Sequence, residues 1–260
     1  MKIAIIGIGK MGGWLAHSLA KDNQIAVYDS DTSKTKSMKG MKDIAILHSL
    51  SDIEGFTPEL AINAVSLQNT IKAFEEFAQY LPKTCVISDV ASIKGEIPAY
   101  YAKCGFRFAS VHPMFGPTFA DMHALNQQNA VIIKESDQKT AKFFHDFFTK
   151  LGIHIYEYSF EEHDETMAYS LTTPFVSSLV FASCMNATPV PGTTFAKHKE
   201  IAKGLLSEDN GLLCEVLFNS YSLRQLEKIT AKLEYFKHII KARDHNEAGK
   251  QFDKLRKNIN

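Results

Sequence analysis

His112 is the residue of this chain whose type and surroundings best suit acid–base chemistry. It begins the string His112-Pro113-Met114-Phe115-Gly116-Pro117, two residues after a predicted strand at Phe106–Ser110. A neutral imidazole, with an ordinary pKa of about 6.5, can accept the proton of an alcohol while the alcohol carbon gives up hydride. We expect His112 to act in this way beside a hydride acceptor; the alternative is a turn or packing residue.

A second candidate site is the string Gly7-Ile8-Gly9-Lys10-Met11-Gly12, which directly follows the apolar run Lys2–Ile6. In a G-x-G-x-x-G turn between a strand and a helix, the three glycines permit a tight turn, close approach to a pyrophosphate, and close helix packing. The amino end of the helix then faces the phosphates. This pattern predicts a dinucleotide site.

Asp29 points to the kind of dinucleotide. It ends the next predicted strand, Gln24–Tyr28, where a carboxylate can accept hydrogen bonds from the adenosine ribose hydroxyls. The same carboxylate would repel a 2′-phosphate, and no Arg follows it. We therefore predict NAD rather than NADP.

His112, the glycine turn and Asp29 can lie close together if the strands that precede them belong to one parallel sheet and end at the same edge. Strand and helix signals alternate over residues 1–158, with further strands predicted at Ile44–Leu47, Leu60–Val65, Cys85–Val90, Asn129–Ile133 and His154–Tyr158. Ligands of such sheets lie at the carboxyl ends of the strands. Val65 and Ser66 should therefore border the cofactor, and Ser92 should lie near its nicotinamide end or cap a helix that starts near Ile93.

Helical periodicity dominates from Ser159 onward. Ser159 and Glu162 have the spacing of a capping box, and Tyr169–Met185 is too short and polar to span a bilayer, so we interpret it as a buried helix. The fold class predicted is α/β, with an N-terminal Rossmann-type doubly wound sheet at residues 1–158. An all-helical C-terminal domain at residues 159–260 should contribute to the substrate site and form a homodimer.

The composition excludes several kinds of partner. Lys and Arg total 29, and Asp and Glu total 29, so no net charge attracts nucleic acid or an anionic membrane. The four cysteines form no CxxC pair and no zinc-site spacing, and we expect no signal peptide. We expect reduced thiols, a cytoplasmic location and no metal site.

Three segments in order resemble the prephenate dehydrogenase family: Asp89-Val90-Ala91-Ser92-Ile93-Lys94, then Ser110-Val111 with the string at His112, then Glu161-Glu162-His163-Asp164. The resemblance implies NAD-dependent oxidative decarboxylation of prephenate to 4-hydroxyphenylpyruvate, in tyrosine biosynthesis. It also implies that His112 hydrogen-bonds the ring hydroxyl of the substrate, that Ser92 helps to orient it, and that His163 lies near the substrate.

The residues available to bind the substrate carboxylates depart from the family pattern. Relatives place an arginine in or near the segments that correspond to 169–176 and 192–203, and this chain has none in either. Thr172 and Thr173 occupy the first segment, and we expect Lys197 in the second to bind a carboxylate. This departure leaves arogenate as an alternative substrate.

Two other functions share part of the pattern. A 3-hydroxyacid-type dehydrogenase has the same glycine turn followed by Met-Gly, but uses a catalytic lysine on a central helix. A non-catalytic NAD-binding regulator has the same nucleotide fold without turnover.

Overall fold

The computed structural model describes residues 1–41, 43–116, 125–186, 192–208 and 210–259. Eight strands form one sheet: β1 Lys2–Ile6, β2 Gln24–Tyr28, β3 Ile44–Ile46, β4 Leu60–Asn63, β5 Val86–Asp89, β6 Arg107–Pro113, β7 Asn129–Ile133 and β8 His154–Tyr158. Their order is β3-β2-β1-β4-β5-β6-β7-β8. Strands β1 to β6 are parallel, whereas β7 is antiparallel to β6 and parallel to β8.

The described α-helices are α1 Lys10–Leu19, α2 Asp52–Phe56, α3 Leu67–Phe77, α4 Ile97–Tyr101, α5 Gln138–Lys150, α6 Phe160–Met167, α7 Thr173–Ser183, α8 Thr193–Leu205, α9 Asn210–Leu217, α10 Ser222–Ala242 and α11 His245–Ile259. Short 3-10 turns occur at Lys34–Met38, Ala78–Tyr80 and Leu125–Gln127, and a π-helical turn at Ala168–Thr172 joins α6 to α7. In the part of the chain that the structure describes, no helix is long and apolar enough to cross a membrane.

The sheet has an apolar core on each face. Side chains alternate along β1, so Ile3 and Ile5 contribute to one core and Ala4 and Ile6 to the other. On the first face α5 buries Phe144 and Phe148 completely, with Phe143 and Phe147 packed beside them, so these four residues form one apolar face of the helix. Burial on both faces explains why the central strands β1 and β4 are almost uniformly apolar. This is the Rossmann-type doubly wound sheet predicted, with two reversed strands at one edge.

The chain forms two compact units whose sequence limits differ from the expected 1–158 and 159–260. Unit 1 contains 1–167 and 208–219, and unit 2 contains 168–207 and 220–260. Helix α6 groups with the sheet because its residues His163 and Asp164 form buried hydrogen bonds to residues of unit 1. Helix α9 also groups with it, since Glu215 accepts a hydrogen bond from the Gln68 backbone N–H at the start of α3.

Unit 2 is entirely helical in its described residues. Thr172 in the π-helical turn and Ser222 at the start of α10 are buried and share a hydrogen bond of 2.7 Å between their hydroxyls. The expectation of a buried helix at Tyr169–Met185 was wrong: α7 has no buried residue, and Val180 is 47% exposed. Its apolar side chains lie on all sides of the helix, which is why composition alone indicated burial.

Two local predictions also need correction. No helix starts near Ile93, because Gly95 adopts a left-handed φ of +45° and helix α4 begins only at Ile97. The strand predicted to end at Ser110 continues to Pro113, so His112 lies within β6. At that point β6 has a strand neighbour on one side only, and a proline without an N–H is tolerated there as on an edge strand.

Candidate active site

His112 lies where β6 extends beyond its neighbour β5. The pairing of β5 with β6 ends at Asp89 and Ser110, whereas β6 pairs with β7 through His112 and Val131. The carbonyl of Val111 accepts a hydrogen bond of 2.9 Å from the Nζ of Lys94. A buried carbonyl needs such a donor, so the ammonium of Lys94 stabilises this end of β6.

The ring of His112 is buried and belongs to a series of hydrogen bonds. His112 Nδ1 lies 3.0 Å from Nε2 of His163, and His163 Nδ1 lies 2.8 Å from Oδ1 of Asp164. The backbone N–H groups of Lys94 and Gly95 donate to Asp164 at 2.8 and 2.9 Å. Helix α6 begins with the predicted capping box, in which Ser159 and Glu162 bond reciprocally, and the helix places His163 and Asp164 one turn later.

Lys94, whose backbone N–H donates to Asp164, also forms a buried ion pair through its side chain. Lys94 and Asp89 are both fully buried, with 2.7 Å between Nζ and Oδ2, and the hydroxyl of Tyr101 donates to the other oxygen of Asp89 at 2.7 Å. Tyr101 itself stacks on Phe108 of β6. Because each charge has its partners, the pair is tolerated in a region that excludes water.

The surroundings keep both imidazoles neutral. Burial, then the neighbouring His163, then the Lys94 ammonium hold the pKa of His112 well below its ordinary value. Burial also lowers the pKa of His163, although the hydrogen bond to Asp164 opposes that shift. Burial acts to raise the pKa of the Asp164 carboxyl, but the hydrogen bonds from His163, Lys94 and Gly95 outweigh it and lower that pKa. The site therefore offers a neutral histidine beside an anionic carboxylate.

A separate pocket of about 670 Å³ adjoins the glycine turn in the same unit, and it is lined in part by Gly7, Gly9, Asp29, Val65 and Ser66. Gly7 has a φ of +92°, and a Cβ on Gly12 would lie 1.9 Å from the Gly7 oxygen, so both positions require glycine. A Cβ on Gly9 would meet nothing within 4 Å. Gly9 therefore leaves open space above the start of α1, which suits the approach of a pyrophosphate to the helix N-terminus.

Asp29 borders that pocket, and its carboxylate already accepts hydrogen bonds from the protein backbone. Its Oδ2 accepts from the Ile8 N–H at 2.7 Å, its Oδ1 accepts from the Asp31 N–H at 2.8 Å, and Lys34 Nζ lies 3.6 Å from Oδ2. The bond to Ile8 ties the carboxylate to the glycine turn. A carboxylate has further lone pairs, so Asp29 can still accept hydrogen bonds from ribose hydroxyls.

The rest of the string at His112 connects the two sites. Phe115 is buried and contacts the indole of Trp14 on α1 edge to face, with 5.1 Å between the ring centroids. Pro117 lies outside the described residues. Phe115 thus anchors the string to the helix that follows the glycine turn.

The other predicted site residues are dispersed. Lys10 and Met11 form the first turn of α1, while Ser92 is half-buried in the turn between β5 and α4. Thr172, Thr173 and Lys197 belong to unit 2, where Thr172 is buried and Lys197 is exposed. The binding roles of these residues remain predictions. In the described ranges, no three His, Cys, Asp or Glu side chains are grouped as metal ligands would be.

Lys94, Asp164 and Tyr101 are the residues of this site to which sequence reasoning assigned no role. Lys94 and Asp164 stood inside the quoted motifs, but they look like ordinary surface charges in a single sequence. The available signal was their position, since Lys94 follows the end of a buried strand and Asp164 follows a candidate histidine.

Comparisons with known proteins agree with this architecture. The family model described as "Prephenate dehydrogenase, nucleotide-binding domain" matches residues 15–157. The crystal structure of prephenate dehydrogenase from A. aeolicus, in complex with hydroxyphenyl propionate and NAD+, has 18% sequence identity. It matches with a TM-score of 0.85 over 100% of this chain and 98% of that chain, which shows the same fold.

Two curated proteins are similar in sequence. Arogenate dehydrogenase 1, chloroplastic, from Arabidopsis thaliana is 25% identical over 96% of this chain and 41% of its own length. A probable arogenate/prephenate dehydrogenase from Methanocaldococcus jannaschii is 28% identical over 64% of this chain and 38% of its own length. The chain thus spans about two fifths of each relative. Because the family model covers more than half of the sequence, this chain belongs to the prephenate dehydrogenase family.

Proposed function

We propose that this protein catalyses the NAD-dependent oxidative decarboxylation of prephenate to 4-hydroxyphenylpyruvate, in tyrosine biosynthesis. The observation that carries the proposal is a buried, neutral His112 at the carboxyl end of β6, in the same unit as a glycine-turn pocket suited to a dinucleotide. The family membership supports the reaction class.

In this proposal Gly7, Gly9 and Gly12 shape the phosphate site, and Asp29 binds the adenosine ribose. Bound NAD supplies the hydride acceptor. His112 accepts a hydrogen bond from the ring hydroxyl of the substrate and so stabilises the positive charge that develops on the hydroxyl-bearing carbon as hydride leaves. Ser92 helps to orient that hydroxyl.

The remaining chemistry needs little from the protein. When the bond to the ring carboxylate breaks, carbon dioxide leaves and the electron pair completes the aromatic ring. The hydroxyl hydrogen stays in the phenol product. The main tasks of the protein are therefore to hold the substrate in line and to keep His112 unprotonated.

Arogenate is the second candidate substrate. The Arabidopsis relative, which aligns with 96% of this chain, is named an arogenate dehydrogenase. Arogenate carries an amino group where prephenate carries a keto group, so the reacting ring and the role of His112 are unchanged. The two substrates are distinguished by contacts far from the hydroxyl.

The carboxylate-binding residues stay a proposal. Thr172 and Thr173 offer hydroxyl donors, and Lys197 offers an exposed ammonium, whereas the segments 169–176 and 192–203 contain no Arg. A Lys197→Met variant should raise the substrate KM and leave the KM for NAD unchanged. An equal rise in both constants would argue against this role.

We also propose a homodimer formed through unit 2. Its long helices leave large apolar side chains exposed, among them Leu223 at 66%, Ile240 at 74% and Phe252 at 49%. Such surface is typical of contact sites. Light scattering after gel filtration should give twice the mass of 29.1 kDa, and a mass of one chain would contradict the proposal. A cytoplasmic location likewise stays a prediction.

The decisive experiment for the function is a panel of four reactions with the purified protein. Prephenate and arogenate are each combined with NAD and with NADP, and reduced cofactor is followed by its absorbance. We expect the highest kcat/KM for prephenate with NAD. Absence of turnover in all four reactions, despite tight NAD binding, would instead support the non-catalytic regulator.

A further inference from the structure

The hydrogen bonds around His163 leave little freedom for the placement of hydrogens. Asp164 accepts from the backbone N–H groups of Lys94 and Gly95, one on each carboxylate oxygen. A carboxylate held in this way is an acceptor only. The hydrogen between Asp164 and His163 must therefore lie on Nδ1 of His163, 2.8 Å from Oδ1.

The next link follows from the first. A neutral His163 with its hydrogen on Nδ1 has a bare Nε2, which is an acceptor. Nδ1 of His112 lies 3.0 Å from that nitrogen, so it must carry a hydrogen and donate. The neutral ring of His112 then has its lone pair on Nε2, the nitrogen that is not bonded to His163.

The opposite arrangement would remove the acceptor from His112. If His163 carried its hydrogen on Nε2, it would donate to Nδ1 of His112, and the hydrogen of His112 would move to Nε2. The groups that face the two rings favour the first arrangement: Asp164 is an acceptor at Nδ1 of His163, and the nearby Lys94 ammonium disfavours a second proton on either ring.

We propose that Asp164 is a positioning residue that acts through His163 to keep the Nε2 lone pair of His112 available to the substrate hydroxyl. The proposal rests on the function proposed above for His112. It assigns Asp164 a role in the reaction, although Asp164 is two hydrogen bonds away from the histidine that acts.

The first test needs no substrate. Nitrogen-15 NMR of the labelled wild-type protein reports which ring nitrogen of each histidine carries the hydrogen, and the His112 signals are identified by their loss in His112→Asn. We expect a protonated Nδ1 and a bare Nε2 for His112. A bare Nδ1 would overturn the proposal, whether or not the protein turns over prephenate.

The second test is the variant Asp164→Asn, whose amide can donate to Nδ1 of His163 and reverse the series. In the serine-protease triad the same exchange of carboxylate for amide lowers kcat by about 10⁴ through the wrong tautomer. His112 accepts a hydrogen bond here but does not have to remove the proton, so we expect a smaller fall in kcat, on the order of 10²-fold. The affinity for NAD should not change, since Asp164 is not among the residues that line the glycine-turn pocket.

A double variant separates positioning from a purely structural effect. In a His163→Gln background the glutamine oxygen can accept from Nδ1 of His112 whatever residue 164 is. Adding Asp164→Asn there should lower kcat by less than about threefold. An equal loss in both backgrounds would refute the proposal. The matched control is Asp146→Asn, which changes an exposed carboxylate of α5 and should leave kcat unchanged.

Discussion

His112 and His163 lie 51 positions apart in the sequence, yet Nδ1 of one and Nε2 of the other are 3.0 Å apart in a buried hydrogen bond. The bond joins the end of β6 to the first turns of α6. The hydrogen-bond acceptor proposed for the reaction is therefore held by a residue of another element rather than by a neighbour in its own strand.

His112→Asn should remove most of the activity. An amide cannot accept the hydrogen bond of the ring hydroxyl with the basicity of imidazole, so we expect kcat to fall by roughly 10²- to 10⁴-fold, while the affinity for NAD is retained. Steady-state kinetics and NAD titration measure both. His145→Asn, which changes an exposed histidine of α5, is the control. Unchanged turnover in His112→Asn would favour the 3-hydroxyacid-type dehydrogenase.

The two buried histidines should make stability depend on pH below 6.5. Their pKa values are lowered in the folded protein, whereas both rings take up protons at an ordinary pKa near 6.5 once unfolded. Stability from this source is thus fully present above pH 6.5 and is lost as the pH falls. Each ring contributes at most about 1.4 kcal/mol per pH unit to the free energy of unfolding.

Urea unfolding between pH 7 and pH 5 checks this dependence. His112→Asn should reduce the slope, because one of the two rings is then absent. His145→Asn should leave the slope as it is. A wild-type protein that is equally stable at both ends of this range would contradict the prediction.

Lys94→Met should destabilise the protein strongly. Among the described residues, the substitution leaves the buried carboxylate of Asp89 with only the Tyr101 hydroxyl and the Ala91 backbone N–H as donors, and removing one partner of a buried ion pair costs about 3–5 kcal/mol. Lys142→Met removes a lysine paired with Asp146 at 2.6 Å on the surface, and should cost less than about 1 kcal/mol. Similar losses of unfolding free energy in the two variants would be incompatible with this account of Lys94.

Two alanine variants should separate stability from cofactor binding in the glycine turn. In Gly12→Ala the new methyl group collides with the Gly7 backbone oxygen, so α1 must shift and the melting temperature should fall. In Gly9→Ala the methyl group meets no protein atom but occupies the space expected for the pyrophosphate. We expect Gly9→Ala to melt near the wild-type temperature. Its dissociation constant for NAD should rise by about tenfold or more. Tight NAD binding by Gly9→Ala would place the phosphates elsewhere.

Local patterns were enough to predict the strands. Lys2–Ile6, Gln24–Tyr28, Asn129–Ile133 and His154–Tyr158 have the predicted limits, because short runs of β-branched and aromatic residues between turn residues specify strands. The glycine turn and the capping box at Ser159 were also predicted, since both depend on spacings of a few residues.

The features that were missed depend on distant parts of the chain. The burial of Lys94 requires the Asp89 carboxylate and the Val111 backbone carbonyl to meet at its ammonium group, and no local pattern indicates that. The extension of β6 through His112 depends on pairing with β7, which is reversed relative to β6. The exposure of α7 could not be predicted either, because its composition resembles that of a core helix.

The return of helix α9 to unit 1 affects the order in which the protein can fold during synthesis. Asn219 donates to the backbone carbonyl of Asp164, and Glu215 accepts from the start of α3. The ribosome adds roughly 5–20 residues per second. It therefore makes Asn219 about 50 residues after Asp164, and Glu215 about 150 residues after Gln68. Unit 1 therefore reaches its final form only after residue 219 has emerged, when helices α7 and α8 of unit 2 have already been made.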